Sequence, residues 1–200
     1  MNFKCSLKDF LKLSFCFAII SFGFSIIGTV PDNEHAYIVG NPFEHNSVTI
    51  QHVLGHILWG AIIGLGAFSI RYVILGGSFA ILLDADHLLQ FLDIEMIARF
   101  SHSIPFAIIV AIAFYFIFSK RDIILSAVCF SAVLSHLAFD IFLADIAMQT
   151  STNFPLLAPI IFDDFTFEGI IWLYIQIIAV VIVITATIIN KKRKFEKMIK

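Results

Sequence analysis

Charge is scarce in this chain of 200 residues: Asp, Glu, Lys and Arg together make 14%, against 60% hydrophobic residues, and the mean hydropathy is +0.95. A soluble domain carries about 25% charged and about 45–50% apolar residues, so the composition excludes a water-soluble globule and points to an integral membrane protein. A basic excess is missing as well. The 13 basic and 15 acidic residues leave a formal −2, and without a positive field nucleic acid is set aside as a partner. Cysteine is limited to Cys5, Cys16 and Cys129, with no C-x-x-C spacing. That excludes a disulfide framework and a thiolate zinc knuckle, so any metal here needs His and carboxylate ligands.

Long apolar runs are abundant. A helix needs about 20 apolar residues to cross a bilayer, and length with flanking charge predicts six crossings: Lys12–Val30, His52–Ile70, Tyr72–Phe91, Ile104–Ser119, Ile123–Ala147 and Ile170–Asn190. The first follows Lys4, Lys8 and Lys12 as a signal peptide would, but Ser25 to Pro31 lacks an A-x-A-like cleavage pattern, which favours a retained anchor. Basic residues stay on the cytoplasmic side. Both termini inside, with six crossings, places 12 of the 13 there and leaves only Arg99 outside. The expected architecture is a single all-α polytopic transmembrane bundle of residues 1–200, in the cytoplasmic (inner) membrane, ending in a basic cytoplasmic tail, residues 191–200. That tail faces anionic inner-leaflet lipids, which attract each basic residue by about 1 kcal/mol.

Ionisable residues inside spans are costly and mark interior sites. His52-Val53-Leu54-Gly55-His56 places two imidazoles on one helix face at i,i+4, about 5–6 Å apart at Cβ, a separation suited to two ligands of one ion; two wet, neutral interfacial histidines are the alternative. In Leu83-Asp84-Ala85-Asp86-His87, Asp84 and His87 share a face at i,i+3 while Asp86 points elsewhere. Its alternative is an exposed helix end. His136 and Asp140, at i,i+4, sit deep in the longest apolar segment, where they either bind a cation or neutralise each other by a hydrogen bond. His102 precedes Pro105 at the mouth of the fourth span, and His35 and His45 read as solvated loop residues. The charge-derived topology brings His52, His56, Asp84, Asp86, His87, His102, His136 and Asp140 to one depth on the outer side, from four segments. Imidazoles and carboxylates without thiolates suit zinc or manganese first, with iron possible.

At these residues the chain resembles the YdjM-type family of membrane-bound metal-dependent hydrolases. The matching blocks are His52 to His56, Leu83 to His87, Phe100 to Ser103, Leu134 to Asp140 and Pro155 to Pro159, in the family's order. They run from Gln51 to Pro159 and leave the first span and the C-terminal tail outside. The family is thought to be related to zinc-dependent phospholipase C and P1-type nucleases, so the resemblance implies phosphoester hydrolysis. One block departs from the pattern. The family's H-R-G-[FY]-T-H-S reads Ile97-Ala98-Arg99-Phe100-Ser101-His102-Ser103 here, so its first His is Ile97 and the Arg has moved by one, which puts the number of metal ions in doubt.

The expected function is therefore a metal hydrolase at the outer membrane boundary, acting on a lipid, a lipid-linked phosphate or another phosphoester. His52, His56, Asp84, His87, His136 and Asp140 are the expected metal ligands, and a bound ion would bring the pKa of water toward about 7. His102 is expected as a further ligand or near the leaving group, and Asp86 as an orienting group or general base. Arg99 faces either a substrate phosphate or Glu95 at i,i+4, and the acidic loop Met148–Gly169 either covers the site or merely connects. Two other classes stay open: a proton or cation transporter, which the lack of ionisable groups in the inner half opposes, and a noncatalytic metal-stabilised scaffold.

Overall fold

A computed structural model describes residues 7–29, 37–38, 49–92, 96–97, 99–118 and 121–199. Six helices occupy the six apolar segments: α1 (Leu7–Thr29), α2 (Ile50–Leu65), α3 (Ile70–Leu82), α4 (Ile104–Ala113), α5 (Ile123–Phe142) and α6 (Ile171–Ile199). Two short antiparallel ladders are also present, β1 (Tyr37–Ile38) with β2 (Met96–Ile97) and β3 (Thr152–Phe154) with β4 (Phe165–Phe167). The chain is all-α in class. Lys4, Cys5, His35, His45, Glu95 and Lys120 lie outside the described residues.

The helices alternate in direction. Ser14 Oγ lies 2.9 Å from Ser78 Oγ and Ser21 Oγ donates to the Leu83 carbonyl at 3.0 Å, so α1 and α3 run parallel. Ser126 Oγ, near the start of α5, donates to the carbonyl of Ala111, near the end of α4, at 2.7 Å. Gln176 Nε2 donates to the Trp59 carbonyl at 3.3 Å and Lys191 Nζ stands 5.3 Å over the Phe68 ring, which sets α6 alongside α2. One end of the bundle thus gathers Arg71, Lys191 and the Tyr72 hydroxyl, which donates to Asp122 Oδ2 at 2.8 Å. The opposite end gathers the first turns of α2 and α4 and the last turns of α3 and α5.

Helices α2 and α3 pack backbone to backbone. A Cβ added at Gly60 would stand 2.3 Å from the Gly76 carbonyl oxygen, so only glycine permits this approach. Between α1, α3 and α4 the core is aromatic: Phe17 stacks on Phe79 at 4.6 Å between ring centroids and meets Phe114 edge-on at 6.1 Å. Apolar side chains also cover the outside, among them Leu58, Ile62, Ile74, Ile112, Ile178 and Ile188, as a lipid-facing surface requires.

Helix lengths depart from the sequence expectation. Among the described residues three segments are long and apolar enough to cross a membrane, Leu7–Ile26, Ile123–Ile146 and Ile171–Ile199, whereas α2, α3 and α4 are shorter. The predicted span Tyr72–Phe91 is α-helical only to Leu82 and continues in 3₁₀ turns over Leu83–Leu92, broken by a kink at Asp84. The tighter winding rises about 2.0 Å per residue rather than 1.5 Å, and it begins where Asp84 and His87 must meet. The basic tail is no separate element: α6 carries on through it to Ile199.

Candidate metal centre

Local structure sets each donor before any packing does. Thr49 caps α2 by accepting from the His52 amide at 3.1 Å, and the next turn presents His56 below His52. The chain kinks at Asp84 (φ −76°, ψ 15°), and His87 Nε2, one turn on, lies 3.4 Å from Asp84 Oδ1. A 3₁₀ turn, Phe100–His102, closed by the His102 amide on the Arg99 carbonyl at 2.9 Å, aims Arg99 and His102 together. Ser103 then caps α4, accepting from the Phe106 amide at 3.2 Å, with Pro105 in its first turn. His136 and Asp140 project from the C-terminal half of α5, where His136 Nε2 is 3.3 Å from Asp140 Oδ2.

These groups meet in one place. Asp84 Oδ2 lies 3.1 Å from His52 Nε2 and 3.5 Å from His56 Nε2. Its Oδ1 lies 3.3 Å from His136 Nε2 and 3.5 Å from His102 Nε2. Asp140 Oδ1 is 3.1 Å from His56 Nε2. The Nε2 atoms of His52 and His56, and those of His102 and His136, stand 3.0 Å apart. Every position expected to ligate, together with His102, is therefore in the centre. Asp86, expected as an orienting group or base, has its Oδ2 4.0 Å from His102 Nδ1 and accepts from Ser25 Oγ at 3.0 Å, and it also groups with Asp84 and His87 as a set that could hold an ion.

The chemistry of this donor set fits a divalent cation. His136 Nδ1 donates to the Ala80 carbonyl at 2.7 Å, which leaves an Nε2 lone pair facing the centre. His102 Nδ1 pairs with Ser101 Oγ at 3.0 Å, and Ser101 Oγ reaches Asp86 Oδ2 at 3.5 Å. Burial, reinforced by the Arg99 guanidinium, pushes the His102 imidazole down to about 4, so it is neutral at pH 7. Nitrogen and carboxylate oxygen atoms at these distances are held together by imidazole protons, by the Arg99 guanidinium or by a metal ion. Donors about 2.0–2.1 Å from a zinc ion at tetrahedral corners lie about 3.3–3.4 Å from each other, the spacing this cluster already has. His56, His102 and His136 are fully buried, and His56 Nδ1 has no hydrogen-bond partner among the described residues.

Packing holds the donors in place. The His56 and His136 rings stack at 3.8 Å, and the Phe139 ring meets His56 edge-on at 4.8 Å. Phe139 reaches that position because residue 55 is glycine; a Cβ there would fall 1.8 Å from the ring. Phe154 of β3, fully buried, lies parallel to His102 at 6.2 Å, and the Leu156 carbonyl accepts from the Ile104 amide at 2.9 Å. The loop between α5 and α6 thus packs on the centre through its apolar residues, while Asp163, Asp164 and Glu168 are exposed.

Arg99 turns toward the centre, its Nη2 3.3 Å from Asp84 Oδ1. Ser25 and Ser101 were not singled out by sequence reasoning. A signal for the first exists: Ser14, Ser21 and Ser25 recur on one face of α1, and all three are buried.

The family model described as YdjM inner membrane protein matches residues 48–199. This range takes in every donor of the centre, leaves α1 outside, and carries the resemblance beyond Pro159 through α6 and the basic tail. No curated protein and no solved structure matches the chain.

Proposed function

The chain belongs to the YdjM inner membrane protein family, and from that premise we propose that it is a membrane-bound, metal-dependent hydrolase acting on a phosphoester. The observation that carries the proposal is the convergence of imidazole nitrogens and carboxylate oxygens from four segments at 3.0–3.5 Å. His52, His56, Asp84, His102, His136 and Asp140 would hold the metal, with zinc the leading choice and manganese or iron the others. A divalent ion bound there supplies Lewis acidity, polarising a phosphoryl oxygen and making water nucleophilic at neutral pH.

The remaining steps belong to the protein. Asp86, through Ser101, fixes His102 as the tautomer that carries its proton on Nδ1. Its burial and its hydrogen bonds from Ser25 and Ser101 favour orientation over proton abstraction for Asp86. Substrate enters at the edge formed by His52 and His87, whose side chains are each 14% exposed. His87 Nε2, 3.4 Å from Asp84 Oδ1 at that edge, is the group placed to exchange a proton with a leaving oxygen. Exposed Ile50, Leu54 and Leu88 flank it, which supports an amphiphile such as a phospholipid or lipid-linked phosphate.

In the same reading all six helices cross the inner membrane with both termini cytoplasmic, and the centre faces the extracytoplasmic boundary. The collection of Arg71 and Lys191 at the far end of the bundle supports that orientation. The test is metal analysis of purified protein beside Asp84→Ala and His136→Ala, with phosphodiester and phospholipid hydrolysis measured on the same samples. Metal and hydrolysis lost together in both variants support the proposal. Stoichiometric metal without hydrolysis supports the scaffold reading, and ion flux in liposomes without bound transition metal supports transport.

A further inference from the structure

The donor centre has two halves. Asp84 and Asp140 each turn one oxygen toward each half. Asp84 Oδ2 and Asp140 Oδ1 meet the His52–His56 pair, at 3.1 Å from His52 and 3.1 Å from His56 respectively. Asp84 Oδ1 and Asp140 Oδ2 meet the His102–His136 pair, both at 3.3 Å from His136. Two nitrogen pairs joined by two carboxylates form the outline of a two-ion centre.

Arg99 breaks the symmetry. Its Nη2 is 2.5 Å from His102 Nε2, 3.3 Å from Asp84 Oδ1 and 3.8 Å from Asp140 Oδ2, so it faces His102 and both carboxylate oxygens of the second half. A guanidinium offers only N–H donors and stays charged at every accessible pH. Its N–H therefore engages the His102 lone pair that an ion in this half would need. The same group also supplies the positive charge that the two carboxylate oxygens there require.

We infer that Arg99 holds the second cation position, so that the centre takes one divalent ion, in the His52–His56 half, beside a built-in guanidinium charge. This rests on the metal-centre reading above and adds its stoichiometry and its selectivity between the halves. With two carboxylates, one guanidinium and one divalent ion the centre carries a net +1. A second divalent ion would raise it to +3 in a buried site and would have to displace a cation already bonded there. During phosphoester hydrolysis the fixed charge would serve where a second ion otherwise steadies phosphoryl oxygens.

The experiment uses the full chain in detergent, stripped with chelator, reloaded with zinc chloride, desalted and assayed for zinc per chain, with circular dichroism on each sample. The inference expects about one zinc in the wild type, about one in Arg99→Lys, and about two in Arg99→Ala, where the second half is released. Two zinc ions in the wild type overturn it while leaving the metal centre standing. One zinc in an Arg99→Ala protein of unchanged helicity overturns it too. If Arg99→Ala does not fold, the wild-type and Arg99→Lys stoichiometries decide. A wild type that retains no zinc removes both this inference and the reading beneath it.

Discussion

Individual residues near the centre are constrained by volume and by hydrogen bonding rather than by ligation alone. In an exposed helix Gly55→Ala would stabilise by about 1 kcal/mol. Here the new methyl would overlap the Phe139 ring, and overpacking costs about 1–3 kcal/mol. The expected outcome is a lower melting temperature together with weaker zinc retention, because Phe139 supports the His56 ring. Ser25→Ala removes the hydroxyl that donates to buried Asp86. Its expected cost is about 1–3 kcal/mol in stability. Orientation of His102 suffers as well, so zinc affinity should fall roughly 10-fold, read by competition with a chromophoric chelator. Zinc affinity equal to wild type would show that the Ser25–Asp86–Ser101 chain does not act on the centre.

At the scale of elements, apolar run length located all six helices, and the i,i+3 and i,i+4 spacings paired Asp84 with His87, His52 with His56 and His136 with Asp140. Local pattern reaches those relations because they lie within one element. It does not reach relations between elements. The contact of Arg99 with Asp84, reached through the 3₁₀ turn at Phe100, joins residues 15 apart that no local spacing pairs. Ser25 hides in an apolar run because a hydroxyl adds little to the cost of insertion, and Phe154 looks like any loop aromatic until it is found against His102. The end of α3 at Leu82 has no glycine or proline to announce it. There the chain kinks at Asp84, and Ser21 donates to the Leu83 carbonyl. Gly60→Leu is therefore expected to separate α2 from α3 and to move His52 and His56 away from Asp84. Zinc binding should be lost while helicity, followed by circular dichroism, largely persists.

At the scale of the molecule, the bundle places cations at one end and the donor centre at the other, and closes the centre with segments far apart in the chain. Binding at such a centre is folding energy. Zinc at about 100 times its dissociation constant adds about 2.7 kcal/mol, so chelator should lower the melting temperature by about 5–10 °C. No shift on chelation would mean that the clustered carboxylates need no ion. Orientation is checked by cysteine labelling in a background where Cys5, Cys16 and Cys129 are replaced by serine. A membrane-impermeant maleimide added to intact cells is expected to label Ser151→Cys and to leave Lys192→Cys unlabelled until the cells are opened. The reverse pattern would invert the topology.

The most direct measurement is zinc X-ray absorption on the reloaded full-length protein. A first shell of nitrogen and oxygen at about 2.0–2.1 Å, with the outer-shell scattering of imidazole and no sulfur, is the predicted spectrum. A sulfur shell near 2.3 Å, or a spectrum of hydrated zinc without imidazole, would contradict a centre built from these histidines and aspartates.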